Sequence, residues 1–133
     1  MYEVIGKNDP TYLQADPQGA DIIAIPCTPG NGTINRGTIM YRDAATGLWA
    51  PATAAEAVDT NELAVLDETV NTDASATIAE DARAYRAGRL VRSKVTLAAN
   101  AEVTAAVQLV LRKQGIMLDP MVSTDTFNNT VGG

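Results

Sequence analysis

The sequence predicts a small β-rich α+β domain, with one C-terminal helix and an extended N-terminal arm. Four of the six prolines fall within the first thirty residues, so that region differs from the rest. Short β-prone segments separated by turn residues fill the middle of the chain, and apolar residues recur at helical spacing near residues 103–111. A chain of 133 residues is the size of one domain.

Residues 1–33 are predicted to form the arm. Proline fixes φ and lacks a backbone donor, so this region cannot be an ordinary helix or a central strand. Within it, a β-prone segment is bounded by Gly19 and Pro26. We expect this segment to pair at a sheet edge, with another chain as one option. Its residues are Asp21, Ile22, Ile23, Ala24 and Ile25.

Residues 34–118 are predicted to form the β-rich body. Strands at 37–41 and 48–51 flank a turn at 43–47, which indicates a hairpin. Trp49 in the return strand is interpreted as a core residue rather than a ligand-stacking one. A strand at 62–66 and a polar loop at 67–73 follow.

The segment 84–91 mixes β-formers with charged residues, and Gly88 predicts a bulge or a close backbone approach. Arginines recur here at every third position, which alternates faces on a strand and gives no single basic stripe. The preceding stretch, residues 44–82, contains acids and no bases. Pairing between the two regions, within or between subunits, is the simplest account, because the arginine fork holds a carboxylate at two points. The subunit-contact candidates are Arg83, Arg86, Arg89 and Arg92.

The sequence predicts a helix that begins at Asn100, a favourable N-cap, with Glu102 in its first turn. Its predicted core face is Val103, Val107, Val110 and Leu111. Residues 116–118 are predicted to close the sheet as a last strand, and residues 119–133 to form a polar tail.

The composition argues against catalysis and against most ligands. The chain has no histidine, so it lacks the commonest general base and metal ligand. Cys27 is the only cysteine and has no histidine to activate it, so we interpret it as a structural thiol. No catalytic, cofactor or metal site is predicted, nor is a small-molecule substrate.

A net charge of −6 disfavours nucleic-acid binding, which depends on neutralising phosphates. No apolar run reaches the length of a membrane span, and the N-terminus does not resemble a signal peptide. We therefore expect synthesis and folding in a cytoplasm, without contact to nucleic acid or membrane.

The order of the motifs resembles the lambda-type head decoration (cement) proteins of tailed phages. The resemblance begins with Gly-Thr-Ile-Met at 37–40 and Gly-Leu-Trp-Ala-Pro at 47–51. Leu-Ala-Val-Leu-Asp-Glu-Thr-Val follows at 63–70, and then the arginine-rich segment 82–93, whose Tyr-Arg-Ala-Gly-Arg-Leu lies at 85–90. A helix and residues 111–118 complete the series. The resemblance covers about residues 37–118 and depends on order and spacing rather than on one diagnostic motif.

This resemblance implies a small mixed β-barrel or sheet body, like a β-tadpole, assembled as a homotrimer. Such trimers occupy three-fold sites on the outer surface of the expanded capsid in the virion and stabilise the shell. It also implies an arm that orders as a strand against the major capsid protein, with residues 21–25 as the pairing segment on β-propensity alone. Deleting residues 1–30 is then expected to abolish capsid binding and leave the body folded.

Two other functions compete with this expectation. A β-rich tail or adhesin-type module would recognise carbohydrate or protein and would need clustered exposed aromatic residues, of which the chain has few. A small hydrolase would need a nucleophile motif and a general base, which the sequence does not supply.

Overall fold

The computed structural model describes residues 14–75 and 77–120, and the side chains of residues 20–75 and 77–120. These residues form eight strands and one helix, which confirms the predicted β-rich α+β class. The elements are β1 (Gln14–Cys27), β2 (Thr33–Ile34), β3 (Ile39–Arg42), β4 (Trp49–Pro51), β5 (Leu63–Leu66), β6 (Val70–Asn71), β7 (Glu80–Val91), α1 (Ala105–Lys113) and β8 (Ile116–Asp119). Short 3-10 turns at Arg92–Lys94 and Ala98–Asn100 connect β7 to α1.

Six strands form one mixed sheet in the order β1-β4-β3-β5-β7-β8. The β1–β4 and β7–β8 pairs are parallel, and the other neighbours are antiparallel. Strand β1 also pairs antiparallel with β7 along most of its length. The short strands β2 and β6 form a separate ladder, so the loop predicted at 67–73 is wrong at Val70–Asn71. A ladder of two residues is too short to leave a periodic signal in the sequence.

The predicted hairpin is confirmed. Strands β3 and β4 pair with Arg42 opposite Trp49, and Gly47 N–H donates to the Asp43 carbonyl across the turn at 2.7 Å. The Trp49 side chain is 4% exposed and lies in the core, as predicted. Trp49 belongs to a buried apolar cluster that also contains Ile25 and Met40.

Strand β5, in the middle of the sheet, is buried on both faces. In β5, Leu63 and Val65 belong to one apolar cluster, while Ala64 and Leu66 belong to another. Helix α1 packs on the first cluster through Leu111, which is fully buried. Burial on both sides explains why β5 is continuously apolar instead of alternating.

Strand β7 lies between β1 on one edge and β5, then β8, on the other. Gly88 of β7 has a φ of +140°, and a Cβ there would lie 3.2 Å from the Cα of Ala20 in β1. The close approach predicted at Gly88 is therefore confirmed. The register shifts between Asp21 and Ile22, where β7 carries one extra residue.

The helix begins later than the sequence predicts. Its N-cap is Thr104, whose hydroxyl accepts from the Val107 N–H at 3.3 Å. Asn100, the predicted N-cap, has a φ of +61°, whereas an N-cap residue takes β-region backbone. Val107 and Leu111 of the predicted core face are buried, but Val103 precedes the helix, so that face is confirmed only in part.

Residues 14–27 of the predicted arm lie in the sheet of the body. Ile25 and Cys27 at the end of β1 are 1% and 0% exposed and belong to the same cluster as Trp49. The described chain therefore has no boundary at residue 33. Asp119, the first residue of the predicted tail, is the last residue of β8. Residues 1–13 and 121–133 lie outside the described residues.

Candidate functional site: the open edge of strand β1

The predicted pairing segment is a strand, and its neighbour is β7 of the same chain. Ile22 pairs with Tyr85 and Ile25 with Ala82, in a register that stays regular to Cys27. The β-propensity of residues 21–25 thus predicted the conformation. It did not identify the partner within the chain.

One edge of β1 is open over part of its length. The Thr28 N–H donates to the Trp49 carbonyl in β4 at 2.8 Å, on the side away from β7. Main-chain groups alternate sides along a regular strand, so those of Pro26, Ala24 and Ile22 point the same way as those of Thr28. Strand β4 meets β1 only at Cys27, so within the described chain the N–H and C=O groups of Ile22 and Ala24 face no strand.

Pro26 fits this geometry. A proline inside a strand removes a ladder donor, which is tolerated only on an edge or at a bulge. Because its nitrogen points away from β7, Pro26 interrupts no bond of the β1–β7 ladder. Pro26 also limits how far an added strand can extend toward β4, because proline offers no N–H donor to it. Prolines on sheet edges commonly prevent unwanted strand pairing in this way.

The side chains near the open edge divide into anchoring and exposed ones. Ile25 and Cys27 are buried, which fixes the end of β1 to the body. Ile22 is 46% exposed and Ala24 is exposed. An incoming strand would therefore meet main-chain groups that no described strand pairs with, beside an apolar side chain, and β1 would already be held in place.

The predicted arginine candidates are exposed, and three of them bind carboxylates in neighbouring segments. Arg86 donates from Nε to the Asp21 carboxylate in β1 at 2.9 Å. Arg89 makes a two-point contact with Asp119 in β8, at 2.9 and 3.2 Å. The Arg83 guanidinium lies 3.7 Å from the Glu68 carboxylate, which also accepts from the Arg83 backbone N–H at 2.7 Å. Arg92 forms no ion pair with the described residues.

Each of these contacts ties β7 to the segment beside it. The pairs are about half exposed, so each adds on the order of 0–1 kcal/mol to stability. Of the three partners, only Glu68 lies in the acidic stretch 44–82. Asp21 and Asp119 lie outside it, and only the strand register places them beside Arg86 and Arg89.

Other acids of that stretch pair with cations that the sequence analysis did not single out. Arg36 contacts Asp67 at 3.3 Å, and Lys113 contacts Asp59 at 3.4 Å. The sequence gives no sign of either pair, because the two partners are far apart along the chain and only the tertiary fold brings them together.

Buried titratable groups are held in their neutral forms. Burial, with Asp81, Glu68 and Glu80 nearby, raises the pKa of the Cys27 thiol to about 11. Burial and the Asp67 carboxylate raise the pKa of Tyr85 to about 12. A thiol that stays protonated at neutral pH is a poor nucleophile, which agrees with its interpretation as a structural cysteine.

Within residues 14–75 and 77–120, no three acidic or cysteine side chains are grouped as metal ligands. The same residues contain no helix long and apolar enough to cross a membrane. One groove in this part of the chain is lined by Asn31, Thr38 and Asn100 among others. The open edge of β1 is the described feature best suited to binding another chain.

Comparison with known proteins does not assign a family. No protein-family model matches the chain, and no curated protein matches it either.

Proposed function

We propose that this chain is a head decoration protein of a tailed phage. In this proposal it is a non-enzymatic protein of the virion that binds the outer surface of the expanded capsid as trimers at three-fold sites. Binding stabilises the expanded shell by mass action, because it favours the state that carries the site. The order of motifs along residues 37–118 supports the family, and the open edge of β1 supports the mode of attachment.

The coat protein is proposed to add a strand to β1. Main-chain donors and acceptors of Ile22 and Ala24 would bond to the incoming strand, as in other cases of strand addition to a sheet edge. Because β1 is already part of the body, little ordering entropy opposes this step. Three edges in one trimer act together through effective concentration, so each contact can be weak.

The body is proposed to be a small barrel of the β-tadpole kind. Supporting this are the pairings β1–β4, β4–β3, β3–β5, β5–β7 and β7–β1, which follow one another in a closed circuit. The link between β1 and β4 is one residue pair, Cys27 and Trp49. The cluster that contains Met40, Leu66 and Ala84 would fill the interior.

An adhesin-type module gains no specific support. Sugar recognition needs exposed aromatic faces, and in the described residues Trp49 and Tyr85 are buried while Tyr41 is half-buried. Glycan binding is therefore a control measurement rather than a second proposal.

The test mixes purified protein with expanded, undecorated capsids of the same phage, followed by cosedimentation and imaging. We expect density at the three-fold sites and a higher melting temperature of the decorated shells. Absence of binding at saturating protein concentration would refute the decoration function.

A pair of variants tests the edge separately. Ala24→Pro removes the N–H on the open edge without touching the β1–β7 ladder, and Ala24→Val keeps that donor. Both are expected to fold, as judged by circular dichroism, and only Ala24→Pro should lose capsid binding. Equal binding by the two variants would exclude strand addition at β1.

The structure also changes the expectation for truncation. Deleting residues 1–30 removes Ile25 and Cys27 from the core and exposes one edge of β7. That variant is expected to unfold, so it cannot separate binding from folding. Deleting residues 1–13 spares every described strand, so this truncation is the suitable one for measuring binding by a folded body.

A further inference from the structure

Helix α1 presents an apolar face to solvent. Ala105, Ala106 and Leu109 are exposed, and Leu109 is 53% exposed. The only charged residues of the helix are Arg112 and Lys113 in its last turn. A surface helix of a monomeric domain usually carries polar residues on its outer side. This face therefore has the composition of a surface that is covered in an assembly.

A groove lies beside this face, between α1 and β8. Leu109 and Met117 provide apolar lining, and Arg89 and Arg112 line it as well. Arg89 is neutralised by Asp119. Arg112 makes no ion pair with any described residue, so the α1–β8 groove combines an apolar floor with a positive charge that no described carboxylate pairs with.

A complementary surface lies at the beginning of β7. Ile78 is 66% exposed, the most exposed large apolar side chain among the described residues. Glu80 and Asp81 follow it, and neither pairs with a cation in the described part of the chain. Residues 77–81, here called the Ile78 segment, thus offer an apolar side chain followed by negative charge that no described cation pairs with.

The two surfaces lie at opposite ends of β7. Asp81 is near its first residue, while Arg89 is near its last and lies beside β8. At the usual rise of a strand these positions are about 25 Å apart, so one copy cannot bring its own two surfaces together. Charge complementarity between them identifies a second copy of the chain as the occupant.

We propose that the α1–β8 groove of one copy binds the Ile78 segment of the next. Ile78 packs against Leu109 and Met117, while Arg112 pairs with Asp81, the exposed acid of the segment. The contact joins two different surfaces, so it is a head-to-tail interface, and such an interface generates a ring when its rotation closes. Only the number of copies in that ring, three, rests on the proposed function.

The experiment measures self-association by light scattering and sedimentation, from micromolar to near-millimolar protein and at low and high salt. The wild-type chain is expected to associate, and more weakly at high salt, because opposite charges meet at the contact. Arg112→Glu should raise the dissociation constant by about tenfold or more. Arg42→Glu is the matched control: Arg42 is exposed, lies away from the groove and makes no ion pair with described residues.

Rescue separates a lost contact from a damaged fold. Arg112→Glu combined with Asp81→Arg restores the pairing with reversed polarity, so association of the double variant should return toward the wild-type value. Leu109→Ser should weaken association without changing its salt dependence. A wild-type chain that stays monomeric, an Arg112→Glu variant that associates normally, or a double variant without rescue would each overturn the proposed interface.

Capsid binding is scored in parallel, which keeps the two proposals apart. If the variants change self-association as expected but the protein does not bind capsids, the interface is supported and the decoration function is refuted. If the chain binds capsids but its self-association is unchanged by the Arg112 and Leu109 variants, the decoration function is supported and the interface is refuted.

Discussion

Replacement of Gly37 by alanine is expected to destabilise the fold strongly. Gly37 has a φ of +94°, and a Cβ placed there would lie 2.1 Å from the Lys94 carbonyl oxygen. Two hydrogen bonds pass through this residue: its N–H donates to Leu66 at 2.9 Å, and its carbonyl accepts from Thr96 at 2.9 Å. Relief of the clash requires a backbone shift of more than about 1 Å, because contacts under about 3.4 Å are repulsive.

The expected cost has two parts. Holding a non-glycine residue at positive φ costs about 1–2 kcal/mol. Weakening two buried main-chain hydrogen bonds costs about 0.5–1.5 kcal/mol for each. The sum is about 2–5 kcal/mol, a large share of the stability of a typical domain.

Gly30→Ala is the matched control, because Gly30 has nearly the same φ, +93°, with no atom within 4 Å of the added Cβ. It should lose only the conformational part, about 1–2 kcal/mol. Free energies of unfolding come from urea titration at one protein concentration, since association would add stability. Equal losses for the two variants would refute the close approach of Gly37 to Lys94.

Three further predictions concern the core, the helix and the response to alkali. Ile25→Ala should lower the free energy of unfolding by about 2–5 kcal/mol in urea titration, because Ile25 is 1% exposed, and a loss typical of a surface residue would contradict the packing of β1. Thr104→Ala should lower the free energy of unfolding by about 1 kcal/mol, because it removes the N-cap side chain. Asn100→Gly should lower it by almost nothing, because glycine accepts a φ of +61°. A larger loss for Asn100→Gly than for Thr104→Ala would favour the cap at Asn100. Burial raises the pKa of Cys27 from 9.0 to about 11 and that of Tyr85 from 10.0 to about 12. The stability that these neutral groups provide is therefore fully present below pH 9, and it is lost as the pH rises to 12, because the unfolded chain releases these protons at a lower pH than the folded chain. Stability measured against pH should fall in that window, less steeply between pH 9 and 11 for Cys27→Ala, and a flat wild-type curve would contradict both shifts.

Local chemistry was sufficient to predict several elements. The hairpin followed from the turn at 43–47 between two β-prone segments, and β5 from a short apolar run bounded by polar residues. Gly88 indicated a close approach because a glycine inside a strand often marks a bulge or a place where a second backbone passes nearby. Such features depend on residues near one another in sequence, which is why one sequence specifies them.

The start of the helix was harder to predict. Asn100 and Thr104 are both good N-cap residues, and Asn100 comes first. The choice between them depends on the 3-10 turn at Ala98–Asn100, where the Ala98 N–H donates to the Ala52 carbonyl at 2.8 Å. That contact joins distant parts of the chain, so it leaves no local signal.

By itself, the sequence determined that residues 21–25 are extended and that Cys27 and Trp49 belong inside. Only the tertiary structure decided that β7 is the partner of β1, that Arg86 and Arg89 meet Asp21 and Asp119, and that no described strand pairs with β1 on its other edge beside residues 22–24. The physical reason is that main-chain hydrogen bonds are the same for every residue except proline. A β-prone segment therefore specifies its own conformation, whereas its partner is selected by packing against residues far away in the chain.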